Sequence, residues 1–158
     1  MLILKLLRVP QWVKNLFLFI PIFFAGHALE TKFYPVLALG FISFSLIASG
    51  VYILNDLCDF KVDQAHPKKK LRPIASGKVS ILKARLSLVV VVSIGLVLAY
   101  FLNLNFFILL IVYLMINIGY SFGLKNISIL DIMMVSSGFL IRIYSGGVLT
   151  NTHISPWL

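Results

Sequence analysis

The sequence predicts an all-α membrane protein, a bundle of about five transmembrane helices followed by the start of a sixth. Its 158 residues are 60% hydrophobic and only 12% charged, with a mean hydropathy of +1.01. Ordinary globular domains have roughly 25% charged residues. Long apolar runs recur along the chain, most of them near the 20 or so residues that a helix needs to cross a bilayer. A single cysteine, Cys58, excludes a disulfide scaffold.

Five apolar runs are the predicted membrane helices. They cover Leu16 to Leu29, Phe33 to Leu54, Leu86 to Phe101, Leu104 to Phe122 and Ile127 to Leu149. The first run is short, so we expect its helix to begin near Val13, with Lys14 reaching toward the headgroups. A secretory signal peptide ending near Ala28 is the alternative for this run. Pro21 and the long apolar run that follows argue against that alternative.

The distribution of positive charge predicts the orientation of the helices. The chain has 14 Lys and Arg against 5 Asp and Glu, a net charge of +9. Nucleic-acid binding is one explanation of such an excess, but the basic residues here sort by loop. Nearly all lie before the first run, between the second and third, or between the fourth and fifth, and Lys32 alone lies in the opposite loops. Because cytoplasmic loops collect Lys and Arg, we expect a multi-pass protein of the cell (inner) membrane, with no nucleic-acid partner.

The same rule places the N-terminus and a motif-bearing loop, residues 55–85, in the cytoplasm. At the other end of the chain, a polar turn from Thr150 to His153 precedes Ile154 to Leu158, which has the Pro and Trp of a starting membrane helix. We therefore expect residues 1–158 to be a single transmembrane domain that is the N-terminal part of a longer one. A homo-oligomer is the other arrangement that would supply a missing half.

Three carboxylates at the predicted cytoplasmic end of the second helix form the main candidate site. At about 100° per residue, Asp56, Asp59 and Asp63 share one helical face, and Asn55 lies at its edge. Oxygen ligands grouped in this way suit Mg²⁺, which bridges one or two carboxylates to substrate phosphates. Solvated carboxylates that pair with nearby lysines are the alternative. Acidic groups at a helix C-terminus oppose the helix dipole, which argues against a purely structural cluster.

A basic loop directly follows the carboxylates. It contains Lys68, Lys69, Lys70 and Arg72, together with His66. A metal-binding face followed by a cationic loop is the arrangement that a diphosphate needs, since cations then neutralise the oxygens that the metal does not. A patch for anionic lipid would also explain the charge. The adjacent carboxylates favour a substrate site.

Three motifs resemble the UbiA superfamily of intramembrane prenyltransferases. Asn55-Asp56-x-x-Asp59-x-x-x-Asp63 resembles its first aspartate-rich motif, and His66-Pro67-x-Lys69-x-x-Arg72-Pro73-Ile74-Ala75-x-Gly77 resembles the segment that follows it. Arg8-x-Pro10-Gln11-Trp12-x-Lys14-Asn15 resembles the decaprenyl-phosphate phosphoribosyltransferase branch. The resemblance implies a bundle of about nine helices around a cavity open to lipid. This chain resembles the first half of that bundle, so the second aspartate-rich motif would lie beyond Leu158.

The resemblance also implies a function: Mg²⁺-dependent transfer of a 5-phosphoribosyl group from phosphoribosyl pyrophosphate to a polyprenyl phosphate in the bilayer. It implies Asn55 and Asp59 as metal ligands and Asp56 and Asp63 as catalytic residues that bind the metal or organise its water. The implied substrate contacts are Lys14, Tyr52, His66, Lys69, Arg72, Tyr120 and Lys125. The last two correspond to a Tyr-x-x-x-Lys element of the family and are one residue further apart here.

Two alternative functions remain open at this point. One is a UbiA-type prenyltransferase that moves an isoprenoid from its diphosphate to an aromatic or other acceptor. The other is an inactive half-length membrane protein.

Two charged residues, Asp131 and Arg142, lie within the fifth apolar run, and charges inside a membrane are functional candidates by default. Eleven residues separate them, about 16 Å along a helix, which is too far for direct pairing.

Overall fold

The computed structural model describes residues 2–124 and 127–154, and in this part of the chain it contains helices and no β-strand. The α-helices are α1 (Leu2–Leu6), α2 (Ile20–Phe24), α3 (Tyr34–Ala65), α4 (Ile81–Leu102), α5 (Leu104–Ser121) and α6 (Ser128–Thr150). The last four are each long and apolar enough to cross a membrane. The predicted all-α bundle is thereby confirmed, and four of its five predicted spans are long α-helices.

The first predicted span has a different local structure from the other four. It combines a 3₁₀-helix, Val9–Phe19, with α2. A 3₁₀-helix rises about 2.0 Å per residue against 1.5 Å for an α-helix. This apolar segment, Val9–Phe24, is therefore roughly 30 Å long, which equals the thickness of the hydrocarbon core. The tighter winding lets a run shorter than the expected 20 residues reach across the bilayer.

Helix α3 is the central element, and it is longer than the apolar run that predicted it. Its 32 residues extend about 48 Å, well beyond a hydrocarbon core of roughly 30 Å. The last turns, from Asn55 to Ala65, therefore continue past the apolar part of the helix. This continuation places the acidic residues on a regular helix, as their spacing predicted. Of the expected loop, residues 66–80 are non-helical except for a 3₁₀ turn at Lys69–Leu71.

The core lies where the Val9–Phe19 segment, α4, α5 and α6 pack around α3. Its fully buried side chains include Leu18, Leu37, Phe44, Ile47, Phe106 and Leu110. Small residues allow the closest approaches: a Cβ on Gly146 of α6 would lie 1.9 Å from the carbonyl oxygen of Leu18. The side chain of Ser43 also donates a hydrogen bond to the carbonyl of Gly95 on α4, at 2.8 Å. The 3₁₀ segment and α6 therefore pack almost backbone to backbone.

The packing brings the basic segments of the chain to one end of the bundle. Arg8, which precedes the 3₁₀ segment, contacts Asp56 near the end of α3, and Asp56 also contacts Arg72 from the following loop. A second apolar cluster, which includes Leu6, Ile53, Ile74 and Ala84, holds these segments together. The loop at Glu30 and Lys32 lies at the opposite end of the same helices. The grouping expected from the charge distribution is therefore present in the fold.

Candidate functional site

The carboxylates of Asp56 and Asp63 are buried and joined by one arginine. Their residues are 3% and 1% exposed. The Nη1 of Arg72 donates to Oδ2 of Asp63 at 2.6 Å and to Oδ1 of Asp56 at 3.1 Å. Because buried charges need opposite charges and hydrogen bonds, this bridge is what allows two carboxylates to share the inner face of α3. The loop positions Arg72 through its buried neighbours Pro73 and Ile74.

A second arginine reaches the same carboxylate from the N-terminal segment. The Nη2 of Arg8 donates to Oδ1 of Asp56 at 2.5 Å, and its guanidinium lies 4.9 Å from the ring centroid of Tyr52. Arg8 has a φ of 50°, a left-handed conformation that costs an L-residue about 1–2 kcal/mol. The ion pair and the ring contact hold it there. The sequence motif around Arg8 was part of the family resemblance, but Arg8 was not predicted as a site residue.

Two cavities flank this ion-pair network. The first, which we call the loop-side cavity, has a volume of about 480 Å³ and includes Lys5, Arg8, Gln11, Asp56 and Arg72 in its lining. The second, which we call the bundle cavity, has a volume of about 280 Å³. Its lining comprises Lys14, Val51, Tyr52, Tyr113, Asn117, Tyr120, Met134, Val135, Gly138, Phe139 and Arg142. Among the predicted substrate contacts, Arg72 lines the first cavity, whereas Lys14, Tyr52 and Tyr120 line the second.

The predicted metal ligands Asn55 and Asp59 are one helical turn apart on α3. The Oδ1 of Asn55 is buried and lacks a hydrogen-bond partner within the described residues. An unpaired buried acceptor is costly, and a bound cation would satisfy it. No group of three His, Cys, Asp or Glu within residues 2–124 and 127–154 could hold a metal by itself. Mg²⁺ is usually held by one or two carboxylates plus substrate phosphates, so the residues present fit Mg²⁺ bound together with a diphosphate.

Tyr120 connects the acidic face to α6. Its hydroxyl interacts with the Asp131 carboxylate and lies within electrostatic range of Asp59. Tyr120 thus lines the bundle cavity and interacts electrostatically with the predicted ligand Asp59, and its role as a substrate contact stays a prediction. Asp131 does not pair with Arg142, as their spacing on one helix predicted.

Two predicted substrate contacts, His66 and Lys69, line neither of these cavities. His66 is exposed, and its Nδ1 accepts from the backbone N–H groups of Lys68 and Lys69 at 3.2 and 3.3 Å, which folds the loop. The side chain of Lys69 is also on the exposed surface. Lys125 lies outside the described residues. The roles expected of these three residues remain predictions.

The structure also shows polar residues that the sequence did not single out as a group. Arg142, Asn15, Tyr113 and Asn117 line or support the bundle cavity. Arg142 was noticed only as an intramembrane charge, whereas Asn15 belonged to the N-terminal motif. The sequence feature that could have identified this group is the presence of polar residues within otherwise apolar runs. The partners themselves follow only from the packing.

Comparisons with known proteins show the family of the chain. The profile of the UbiA prenyltransferase family matches residues 15–158. The chain belongs to this family. A decaprenyl-phosphate phosphoribosyltransferase of Mycolicibacterium smegmatis is 39% identical over 98% of this chain and 50% of its own length. An uncharacterized protein, y4nM, of Sinorhizobium fredii is 39% identical over 96% of this chain and 30% of its own length.

Solved structures of the family show the same fold. A UbiA homologue from Archaeoglobus fulgidus, solved bound to GPP and Mg²⁺, has a TM-score of 0.83 and 21% identity. The match covers 99% of this chain and 56% of that structure. The chain thus spans about half the length, or less, of the relatives that it matches. Family membership and four apolar helices make it a multi-pass membrane protein.

Proposed function

We propose that this chain forms part of a Mg²⁺-dependent transferase that moves a 5-phosphoribosyl group from phosphoribosyl pyrophosphate to a polyprenyl phosphate. The observation that carries the proposal is the arrangement at the end of α3. There, the buried and unpaired Oδ1 of Asn55 lies on the same helix as Asp56 and Asp63, which hold Arg8 and Arg72. The relative named decaprenyl-phosphate phosphoribosyltransferase supports this choice of substrates.

The reaction needs a cationic environment more than it needs a base. The bond between the ribose carbon and the diphosphate breaks, and the diphosphate leaves with the electron pair. An oxygen of the polyprenyl phosphate forms the new bond to that carbon. Because the second pKa of a phosphate monoester is about 6, this oxygen is already unprotonated at neutral pH. We therefore assign no general base, and the site's exposed His66 need not act as one.

The chain's own residues supply binding and charge neutralisation. Asn55 and Asp59 would hold Mg²⁺, which stabilises the negative charge of the leaving diphosphate. Arg8 and Arg72 line the loop-side cavity, where their guanidinium groups can donate paired hydrogen bonds to phosphate oxygens. Asp56 and Asp63 act on the reaction through the two arginines, which they hold in place. The hydrocarbon tail of the acceptor would stay in the bilayer, next to the apolar surfaces of the helices.

The alternative is transfer of an isoprenoid from its diphosphate to an aromatic or other acceptor. The structural relative bound to GPP and Mg²⁺ supports this alternative. The donor end of such a reaction would use the same metal and arginine groups. The two proposals differ in the acceptor: an aromatic ring loses a proton when it is prenylated, whereas a phosphate dianion does not.

We also propose an orientation for the protein. The end of the bundle with Arg8, Asp56 and Arg72 would face the cytoplasm of a cell membrane, since basic residues concentrate there. A water-soluble phosphoribosyl donor could then enter at the loop-side cavity, while a polyprenyl phosphate enters from the lipid. This orientation can be checked by labelling Cys58, which is exposed at the same end, with a membrane-impermeant thiol reagent.

Donor exchange tests the proposed function. The protein, in the membranes in which it is made, is given polyprenyl phosphate, Mg²⁺ and either labelled phosphoribosyl pyrophosphate or a labelled prenyl diphosphate with an aromatic acceptor. Labelled phosphoribose in the lipid fraction, lost in an Asp59→Asn variant, supports the proposal. Label transferred only from the prenyl diphosphate would replace it with the alternative. Absence of both products, together with donor binding that is the same in Asp59→Asn, would favour an inactive membrane protein.

A further inference from the structure

The bundle cavity has a one-sided charge that the proposed catalytic groups do not explain. Two cations, Lys14 and Arg142, line it together with three tyrosines and one amide, and none of the lining residues that the structure describes has a carboxylate. It lies apart from the loop-side cavity, whose cations face Asp56. A cationic cavity between membrane helices attracts an anion, because the low dielectric strengthens the interaction.

Arg142 is the buried cation of this cavity, with 5% of its surface exposed. Its Nε donates to Oδ1 of Asn15 at 2.8 Å, its Nη1 to the carbonyl of Gly138 at 2.6 Å, and its Nη2 to the hydroxyl of Tyr113 at 3.2 Å. Three aromatic rings also surround the guanidinium, with centroids 4.9 to 5.7 Å away. Neutral partners on the 3₁₀ segment, α3, α5 and α6 itself thus fix its position.

These partners leave the charge of Arg142 uncompensated within the described residues. It forms no ion pair there, in contrast to Arg8 and Arg72. An arginine has five N–H donors, and its bonds to Asn15, Gly138 and Tyr113 use three of them. A buried charge without a counter-charge is expensive, and a bound anion would offset that cost. The fixed guanidinium is therefore arranged in advance for an anionic ligand.

We infer that Arg142 and Lys14 form a second phosphate site in the bundle cavity, separate from the diphosphate site, and that it binds a phosphate monoester. The inference rests on the proposed function, in which two such groups exist: the phosphate of the lipid acceptor and the 5-phosphate of the donor. A cavity of about 280 Å³ is at the small end of ligand pockets, which are usually 300–1,000 Å³. It therefore suits a headgroup rather than a whole lipid.

The ligands tested are chosen to separate the two sources of phosphate. The protein in nanodiscs is titrated with polyprenyl phosphate against the neutral polyprenol, and with phosphoribosyl pyrophosphate against ribose 5-phosphate, with Mg²⁺ present. Phosphatidic acid against diacylglycerol provides a phosphate monoester lipid unrelated to the proposed reaction. Binding is measured rather than turnover, so the result does not depend on whether this chain completes a reaction.

The variants are Arg142→Met, Arg142→Lys and Lys14→Met. Arg142→Met should weaken at least tenfold the binding of either polyprenyl phosphate or both soluble phosphate ligands, and it should leave polyprenol binding unchanged. Arg142→Lys should recover part of the loss. Loss for polyprenyl phosphate assigns the site to the acceptor, and loss for both soluble ligands assigns it to the 5-phosphate. Arg85→Met, an exposed arginine on α4, is the matched control and should change nothing. Lys14→Met tests the exposed side of the cavity if Arg142→Met fails to fold.

The two proposals can fail separately. If the wild type binds phosphatidic acid in an Arg142-dependent manner but binds neither reaction substrate, the phosphate site stands and the proposed function falls. If the wild type prefers no phosphate ligand over its neutral counterpart, the second site is wrong. The same conclusion follows if folded Arg142→Met and Lys14→Met both bind every phosphate ligand as the wild type does.

Discussion

The two ends of the bundle each contain a small group of acidic and basic side chains, but the surroundings differ. At one end, Arg8, Asp56, Arg72 and Asp63 form a network in which both carboxylates are buried. At the other end, Glu30 pairs with His27 and Lys32, and all three side chains are at least 37% exposed. Water solvates the charges of the second group whether or not they are paired. Only the buried charges of the first group therefore need their partners for stability.

The two groups also differ in what they connect. The buried network joins residues 48, 16 and 9 positions apart, and so links the N-terminal segment, α3 and the loop after it. The exposed group is local, with His27 and Glu30 three residues apart. A buried network that crosses three segments makes the position of its arginines depend on the whole fold. We expect the two groups to respond very differently to substitution.

The largest effect is expected from Arg72→Met. Asp63 would keep a buried negative charge and lose its arginine, and removal of one partner from a buried ion pair typically costs about 3–5 kcal/mol. The free energy of unfolding, measured by circular dichroism during titration with sodium dodecyl sulfate, should fall by about that amount. Arg85→Met removes an exposed arginine and should change it little. An equal, small change in both variants would mean that the two ends of the bundle do not differ as described.

The difference between the two ends could be predicted from the sequence only in part. The spacing of Asp56, Asp59 and Asp63 predicted one helical face, and the loop distribution of Lys and Arg predicted their common end of the bundle. The shared face follows from helical periodicity, which is a local property of the sequence. The shared end follows from the distribution of charge among the loops, which is a property of composition. The long helices were predictable for the same reason, because a bilayer demands about 20 apolar residues from each.

The partners of each charge could not be predicted in this way. That Arg72 joins Asp56 to Asp63, or that Arg142 contacts Asn15 over 127 positions, depends on how distant segments pack. The 3₁₀ winding of Val9–Phe19 was also missed, since hydropathy reports the apolar length of a segment and not its pitch. His66 shows the same limit: its Nδ1 accepts hydrogen bonds from the loop's own backbone, which the motif did not reveal, and its role as a substrate contact stays a prediction.

A second prediction separates metal binding from stability at the buried end. Asn55→Leu removes a carbonyl that lacks a hydrogen-bond partner, and replacing an unsatisfied polar group by an apolar one is often neutral or stabilising. We expect unchanged or slightly increased resistance to unfolding. Mg²⁺-dependent binding of phosphoribosyl pyrophosphate should weaken at least tenfold, which corresponds to about 1.4 kcal/mol. Calorimetric titration with and without Mg²⁺ measures this loss.

The control for Asn55→Leu is Asn105→Leu on α5, where the asparagine is exposed and distant from Asn55 along the bundle. It should leave donor binding unchanged. Wild-type donor affinity in the Asn55→Leu variant would contradict the assignment of Asn55 as a metal ligand. Large destabilisation by the same variant would show instead that its side chain has a structural partner.

A smaller effect is expected from two variants of Arg8. Both Arg8→Ala and Arg8→Gly delete the ion pair with Asp56, but only glycine tolerates a φ of 50° without the Cβ penalty. Arg8→Gly should therefore be more stable than Arg8→Ala by about 1 kcal/mol, at the lower end of that penalty because glycine loses more conformational freedom on folding. The same detergent titration measures both. Equal stability would mean that the segment leaves the left-handed conformation once the ion pair is gone.

The smallest effect is expected at the exposed end, from Glu30→Gln. The hydrogen bond from Lys32, and next the one from His27, hold the pKa of Glu30 below its ordinary value of 4.5. A lowered pKa stabilises the folded state above the ordinary value, and this contribution is lost as the pH falls through the folded-state pKa. Solvent and salt screen these exposed charges. At neutral pH, the unfolding midpoint of Glu30→Gln should match the wild type, and the two should differ even less in acid. A midpoint shift as large as that of Arg72→Met would show that exposure does not distinguish the two ends.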